Sequence, residues 1–162
     1  MAAFTLFHVA LSLVGIVSGF GLVAGFVRGK YSTPWNVTFL VSNLLTDLTG
    51  FGFPADKFLP SHAFAILSMA FLVTAMYADY SRKLAGYWRP IFVITTTAAL
   101  YLNFFVLVVQ AFLKVPALHD LAPTQSELPF ALAQGVTLLG FLVLGLSAVL
   151  GMKQMRKAAV AQ

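Results

Sequence analysis

An all-α bundle of about five transmembrane helices is the fold class this sequence predicts, and three observations predict it. Hydrophobic residues make up 60% of the 162-residue chain and charged residues only 9%, where a soluble domain carries roughly 25% charged residues to clothe its surface. The apolar residues are gathered into long runs separated by short polar connections. Lys and Arg lie at the ends of those runs, as they do in the loops of membrane proteins.

The runs can be taken in order. The first covers 5–27 and closes on Arg28 and Lys30. No Lys or Arg precedes it and no small-residue cleavage site is clear, so it is expected to stay as a helix. The second, 37–53, is short and carries Asn43, Thr46 and Asp47; Thr33-Pro34-Trp35 and Phe53-Pro54 bracket it, since proline favours such boundaries. The third, 61–80, has Ser61 as a candidate cap and is followed by Arg82 and Lys83. The fourth is 91–113 and the fifth 130–152, the latter preceded by Thr124 and Glu127 at capping-box spacing, with Ser126 the alternative cap. A span needs about 20 residues and at least roughly 17, so only the second is marginal. No repeat or second domain is evident, and residues 1–162 read as one transmembrane domain.

Charge decides the marginal case. With five spans, Arg28, Lys30, Arg82, Lys83, Arg89, Lys153, Arg156 and Lys157 fall on one side and Lys57 and Lys114 on the other, eight against two. If 37–53 does not cross, the division becomes six against four. The positive-inside rule favours five spans, with the N-terminus outside and the C-terminus cytoplasmic. Trp35 and Trp88 then both lie at the cytoplasmic interface, where amphipathic rings are at home.

Composition also excludes classes of function. The net charge of +5 and pI near 9.8 come from membrane flanks and not from a basic stripe with interleaved aromatics, so nucleic acid is not a partner. Cysteine is absent, which removes disulfides and thiolate chemistry. There is no phosphate-binding loop, His-Glu-x-x-His or Gly-x-Ser-x-Gly.

With direction fixed, the polar residues sort toward the outside. His8, His62 and His119 all fall there, with Asp56, Asp120, Gln125 and Glu127; Asp47, Gln110 and Gln134 lie in the outer halves of their helices. His8, Ser12, Gly15 and Gly19 share one helical face, as do Asn43, Thr46, Asp47 and Gly50. Thr96, Asn103 and Gln110 recur every seven residues, with Lys114 one turn further, and Glu127 and Gln134 are seven apart. Polar groups are costly in lipid, so these faces should meet inside the bundle. The expected cluster is Asp47, Asn43, Asn103, Gln110 and Gln134.

Asp47 costs about 2.5–3.5 kcal/mol at the centre of a span, and no Lys or Arg lies within a span to neutralise it. Its carboxyl group is open to protonation, to a hydrogen bond with Asn43 or Gln110, or to pairing with a histidine of the same layer, and it serves either to hold the bundle together or as part of a functional site. His8 and His62, at similar depth on different helices, could be axial ligands of a haem b or two ligands of a metal; the glycines below His8 would leave room for a macrocycle. The alternative is that both hydrogen-bond to loop carbonyls. Zinc would need further ligands, with His119, Asp56, Asp120 and Glu127 available. Gly15-x-x-x-Gly19 and Gly21-x-x-x-Gly25 mark close helix contacts.

Thr49-Gly50-Phe51-Gly52-Phe53-Pro54, Leu59-Pro60-Ser61-His62, Tyr101-Leu102-Asn103 and the run from Phe105 to Glu127 resemble small integral membrane proteins of bacteria. The resemblance covers most of the chain and implies a bacterial inner membrane, without an activity or a ligand. In architecture the predicted bundle is loosely similar to small cytochrome b-type membrane proteins, whose paired histidines are matched only by His8 and His62. Three functions stay open: a cofactor-binding membrane protein, a small proton or solute carrier, and a non-enzymatic accessory subunit held to other membrane subunits.

Overall fold

The structure, a computed structural model, describes residues 2–55 and 57–160, and beyond residue 153 the backbone alone. Six helices follow in chain order: α1 (Ala2–Val27), α2 (Thr33–Gly50), α3 (Pro60–Met76), α4 (Trp88–Lys114), α5 (Pro116–His119) and α6 (Leu128–Val160). One π-helical turn, Tyr77–Ser81, continues α3. Among the described residues, four helical segments are long and apolar enough to cross a membrane: Ala2–Val27, Pro60–Ser81, Trp88–Lys114 and Leu128–Lys153. The chain is a multi-pass membrane protein of helical architecture.

The second helix is the exception. At 18 residues it has the length of a minimal span, but Asn36, Ser42, Asn43, Thr46 and Asp47 make it less apolar. These side chains turn inward, and Asn36, Ser42 and Asn43 are buried. The helix begins at Thr33 and ends at Gly50, earlier than its apolar run. Pro34 sits inside its first turn, where the missing N–H would have had no partner.

Antiparallel contact with α1 runs along the whole of α2. Gly25 lies against the Lys30 carbonyl, Gly21 against the Trp35 ring, Gly19 against Phe39 and Gly15 against Asn43. At the far end Phe4 meets Phe53. Glycine is what admits this approach: a Cβ on Gly15 would stand 2.6 Å from Asn43 Nδ2, and one on Gly19 2.6 Å from Leu100 Cδ1.

The fourth helix packs against α1, α3 and α6. Leu22, Phe26, Phe39, Leu72, Phe92 and Leu100 are fully buried and fill the half of the bundle that holds the α1–α2 and α3–α4 connections. Phe141 of α6 nests among Phe20, Tyr101 and Phe104. Lower down, a Cβ on Gly151 would run into the carbonyl oxygens of both Phe26 and Val27, so α6 closes tightly on the end of α1. Leu132, Val136, Leu139 and Val143 face outward, as lipid-facing side chains do.

Beside those connections lies a clamp that the sequence did not advertise. Tyr31 donates to Asp79 Oδ2 at 2.8 Å, and Asn36 Nδ2 lies 2.8 Å from the same oxygen and 2.9 Å from the Tyr31 hydroxyl. Burial, and then the hydrogen bond to Asp79, raise the Tyr31 phenol above its ordinary range.

Candidate functional site

A cavity of about 580 Å³ opens at the other end of the bundle, between α1, α2, α3 and α4. Its depth is ordered by chemistry. Asn103 of α4 ties three helices together beneath it: Ser12 Oγ donates to Asn103 Oδ1 at 2.7 Å, and Asn103 Nδ2 donates to Asn43 Oδ1 at 2.8 Å and to the Ser12 carbonyl at 3.3 Å. Asn43 Nδ2 in turn donates to the Phe39 carbonyl. Asn43 and Asn103 therefore hold the floor together.

Asp47 lines the cavity just above. Its Oδ2 is buried without a hydrogen-bond partner, and the Ser68 hydroxyl of α3 faces its carboxyl group. Neither Asn43, whose amide is used elsewhere, nor a histidine is bonded to it. Above Asp47 the walls are apolar, with Val9, Ala65, Val106 and Leu107. His8, His62, Gln110 and Lys114 also line the cavity, nearer its open end along their helices.

The hydrogen bonds of the two imidazoles set their tautomers. Thr49 Oγ1 donates to the Leu45 carbonyl at 2.7 Å, so it can only accept from His8 Nδ1, 2.8 Å away. Neutral His8 therefore carries its proton on Nδ1 and has a lone pair on Nε2. For His62 the order is reversed. The Leu59 N–H donates to His62 Nδ1 at 3.2 Å, which puts the proton of the neutral ring on Nε2. His62 also stacks on Phe51, with ring centroids 5.2 Å apart. It closes the first turn of α3 in the way a capping-box glutamate would, and Pro60 at the helix start leaves Ser61 inside the first turn and not at the cap.

This arrangement does not fit paired axial ligation of a haem by His8 and His62. His8 presents a lone pair, but His62 presents a donor where a ligand would need a lone pair. Among the described residues no group of three or more His, Asp or Glu side chains could hold a metal ion. His119 and Asp120 are exposed at α5, Glu127 is taken up by Thr124 and Ser126, and Asp56 lies outside the described residues.

Gln134 stands apart from the expected cluster. Its Nε2 donates to the Phe105 carbonyl at 3.2 Å between α6 and α4, and its Oε1 is buried without a partner. The face of α4 toward α6 is not the face that bears Asn103. Ser68 was missed by the sequence reading, although its seven-residue spacing from Ser61 was a signal. Asp79 was missed too, although it is the only acidic residue of the five on the basic side of the charge division.

Fold and cavity together define a multi-pass helical membrane protein with a polar-floored, apolar-walled cavity in one half of its bundle. No family model, curated protein or solved structure matches the chain.

Proposed function

We propose that this is a five-span protein of a bacterial plasma membrane, N-terminus outside, that binds a small lipophilic molecule in the cavity at its outer end. The observation that carries the reading is the cavity itself: about 580 Å³, apolar walls, and a buried carboxylate oxygen of Asp47 with no partner in the protein. Small-molecule sites enclose about 300–1,000 Å³ and combine an apolar lining with a few placed polar groups. Five spans are supported by the full-length pairing of α2 with α1, and the sidedness by the eight-to-two division of Lys and Arg. The bacterial membrane rests on the resemblance of the sequence.

Gly50 offers the test. It lines the cavity, and a Cβ there would meet only His8 Cε1, at 3.8 Å, so Gly50→Leu fills the space without a clash at Cβ. Photolysis of a diazirine-bearing octanol with the purified protein should label cavity residues of α1–α4, and Gly50→Leu should remove that label. Adducts confined to outward side chains such as Leu139, unchanged in the variant, would overturn the reading.

A further inference from the structure

The geometry points to the class of molecule this cavity takes: a zwitterionic amphiphile, its ammonium end against Asp47 and its anionic end at Lys114. The inference rests on the reading just given and deepens it. It follows from how donors and acceptors are sorted along the cavity.

At the floor the donors that are paired serve the bundle's own acceptors, and the Ser68 hydroxyl faces the Asp47 carboxyl group. Both amide hydrogens of Asn103 go to Asn43 Oδ1 and the Ser12 carbonyl, Ser12 Oγ donates to Asn103, and Thr46 Oγ1 donates to the Ser42 carbonyl at 2.8 Å. Asp47 Oδ2 is left an acceptor without a donor. His8 stands higher, at the mouth, where its ring meets that of Phe53 at 5.1 Å and its Nδ1 pairs with Thr49. A buried carboxyl group is held as the carboxylate when a charged donor answers it, and the Lys and Arg of the long helices stand only at their ends, Arg89 and Lys114 on α4 and Lys153 on α6.

At the mouth the balance is inverted. His62 offers an Nε2–H, since its Nδ1 accepts from Leu59, and Lys114 brings a full positive charge to the rim. A simple cation would meet Lys114 first and be repelled. A molecule with an anionic group at its far end satisfies both ends. Ser68 lies six residues below His62 on α3, so about 9 Å of mostly apolar wall separates the two polar levels. A short alkyl chain fills that interval.

Four probes of one chain length separate the possibilities: octanol, octanoate, octylamine and the corresponding ω-amino acid, each radiolabelled and measured as retention by protein in nanodiscs over empty nanodiscs. The ω-amino acid should be retained at least tenfold better than octanoate. Asp47→Asn should lower retention of both amines about tenfold while octanol is unchanged, which shows that the variant is folded. Lys114→Gln, at an exposed position, should bring the ω-amino acid down to the level of octylamine. Equal retention of octanoate and octylamine, or amine retention indifferent to Asp47→Asn, overturns the inference. If octanol binds as well as the amines, the charge-specific claim fails and the lipophilic-molecule reading stands. If none of the four is retained and octanol photolabelling is also absent, both fail.

Discussion

Ser12, Asn43 and Asn103 show how polar side chains are accommodated inside an apolar bundle: each answers another, across three helices, before any is presented to lipid. Interhelical bonds of this kind contribute about 1 kcal/mol apiece, enough to fix register. The seven-residue recurrence of Thr96, Asn103 and Gln110 made that inward face of α4 legible. Pairings were not legible, because they depend on fractions of an ångström in backbone placement. Asp47 faces Ser68, and the two histidine tautomers are set by Thr49 and by a backbone N–H of Leu59. Tyr31 carries a prediction at this scale. A free tyrosine titrates near about 10, and the folded phenol is shifted upward by burial and by Asp79. Between those values the folded state holds a proton that the unfolded state has lost, so stability is retained below pH of about 10 and falls as pH rises beyond it. Unfolding midpoints measured across the alkaline range should decline more steeply for the wild type than for Tyr31→Phe. Equal slopes would show that the clamp does not sense the phenol.

Helix by helix, the glycines divide into those that other chain segments occupy and those that face nothing. Gly19 is tightly met by Phe39 and Leu100, whereas nothing lies within 4 Å of a Cβ built on Gly140. Gly19→Ala should therefore destabilise by about 1–3 kcal/mol through overpacking. Gly140→Ala should be neutral, or stabilising by up to about 1 kcal/mol through helix propensity. Thermal unfolding in one detergent checks both, and equal shifts would contradict the packing described for α1 and α2. Element existence could be read from apolar runs and their flanking charges. Element boundaries could not, since Pro34 and Pro60 start their helices from within the first turn. The π-helical turn after α3, which carries Asp79 to its distant partners Tyr31 and Asn36, left no trace in hydropathy.

For the molecule as a whole, the arrangement of ends follows from α2. Hydropathy alone counts four candidate spans. The fifth span proposed above rests on charge and on the pairing of α2 with α1, since α2 trades apolar residues for inward polar ones and cannot announce itself by composition. The absence of cysteine makes the topology directly measurable. Single cysteines at Lys30→Cys and Lys57→Cys should react with a membrane-impermeant maleimide from opposite sides: Lys57→Cys in intact cells, Lys30→Cys only after permeabilisation. Labelling of both in intact cells would place the two loops together and dismantle the proposed sidedness. The floor of the cavity was legible because polar residues at one depth had to find one another. Gln134 was the exception, since depth gives the level of a residue but not the direction it faces.

The nest of Phe20, Tyr101, Phe104 and Phe141 has a consequence for biosynthesis. The cavity is lined by α1–α4 and by Phe53, Leu59 and Val115 of the segments that follow α2 and α4, so the chamber can assemble while the last helix is still in the ribosome. Until then Phe20, Tyr101 and Phe104 have no partner from α6. The final helix arrives as a lid to an already finished vessel, setting an aromatic ring into a waiting seat and bringing Gly151 close against the carbonyls that end α1.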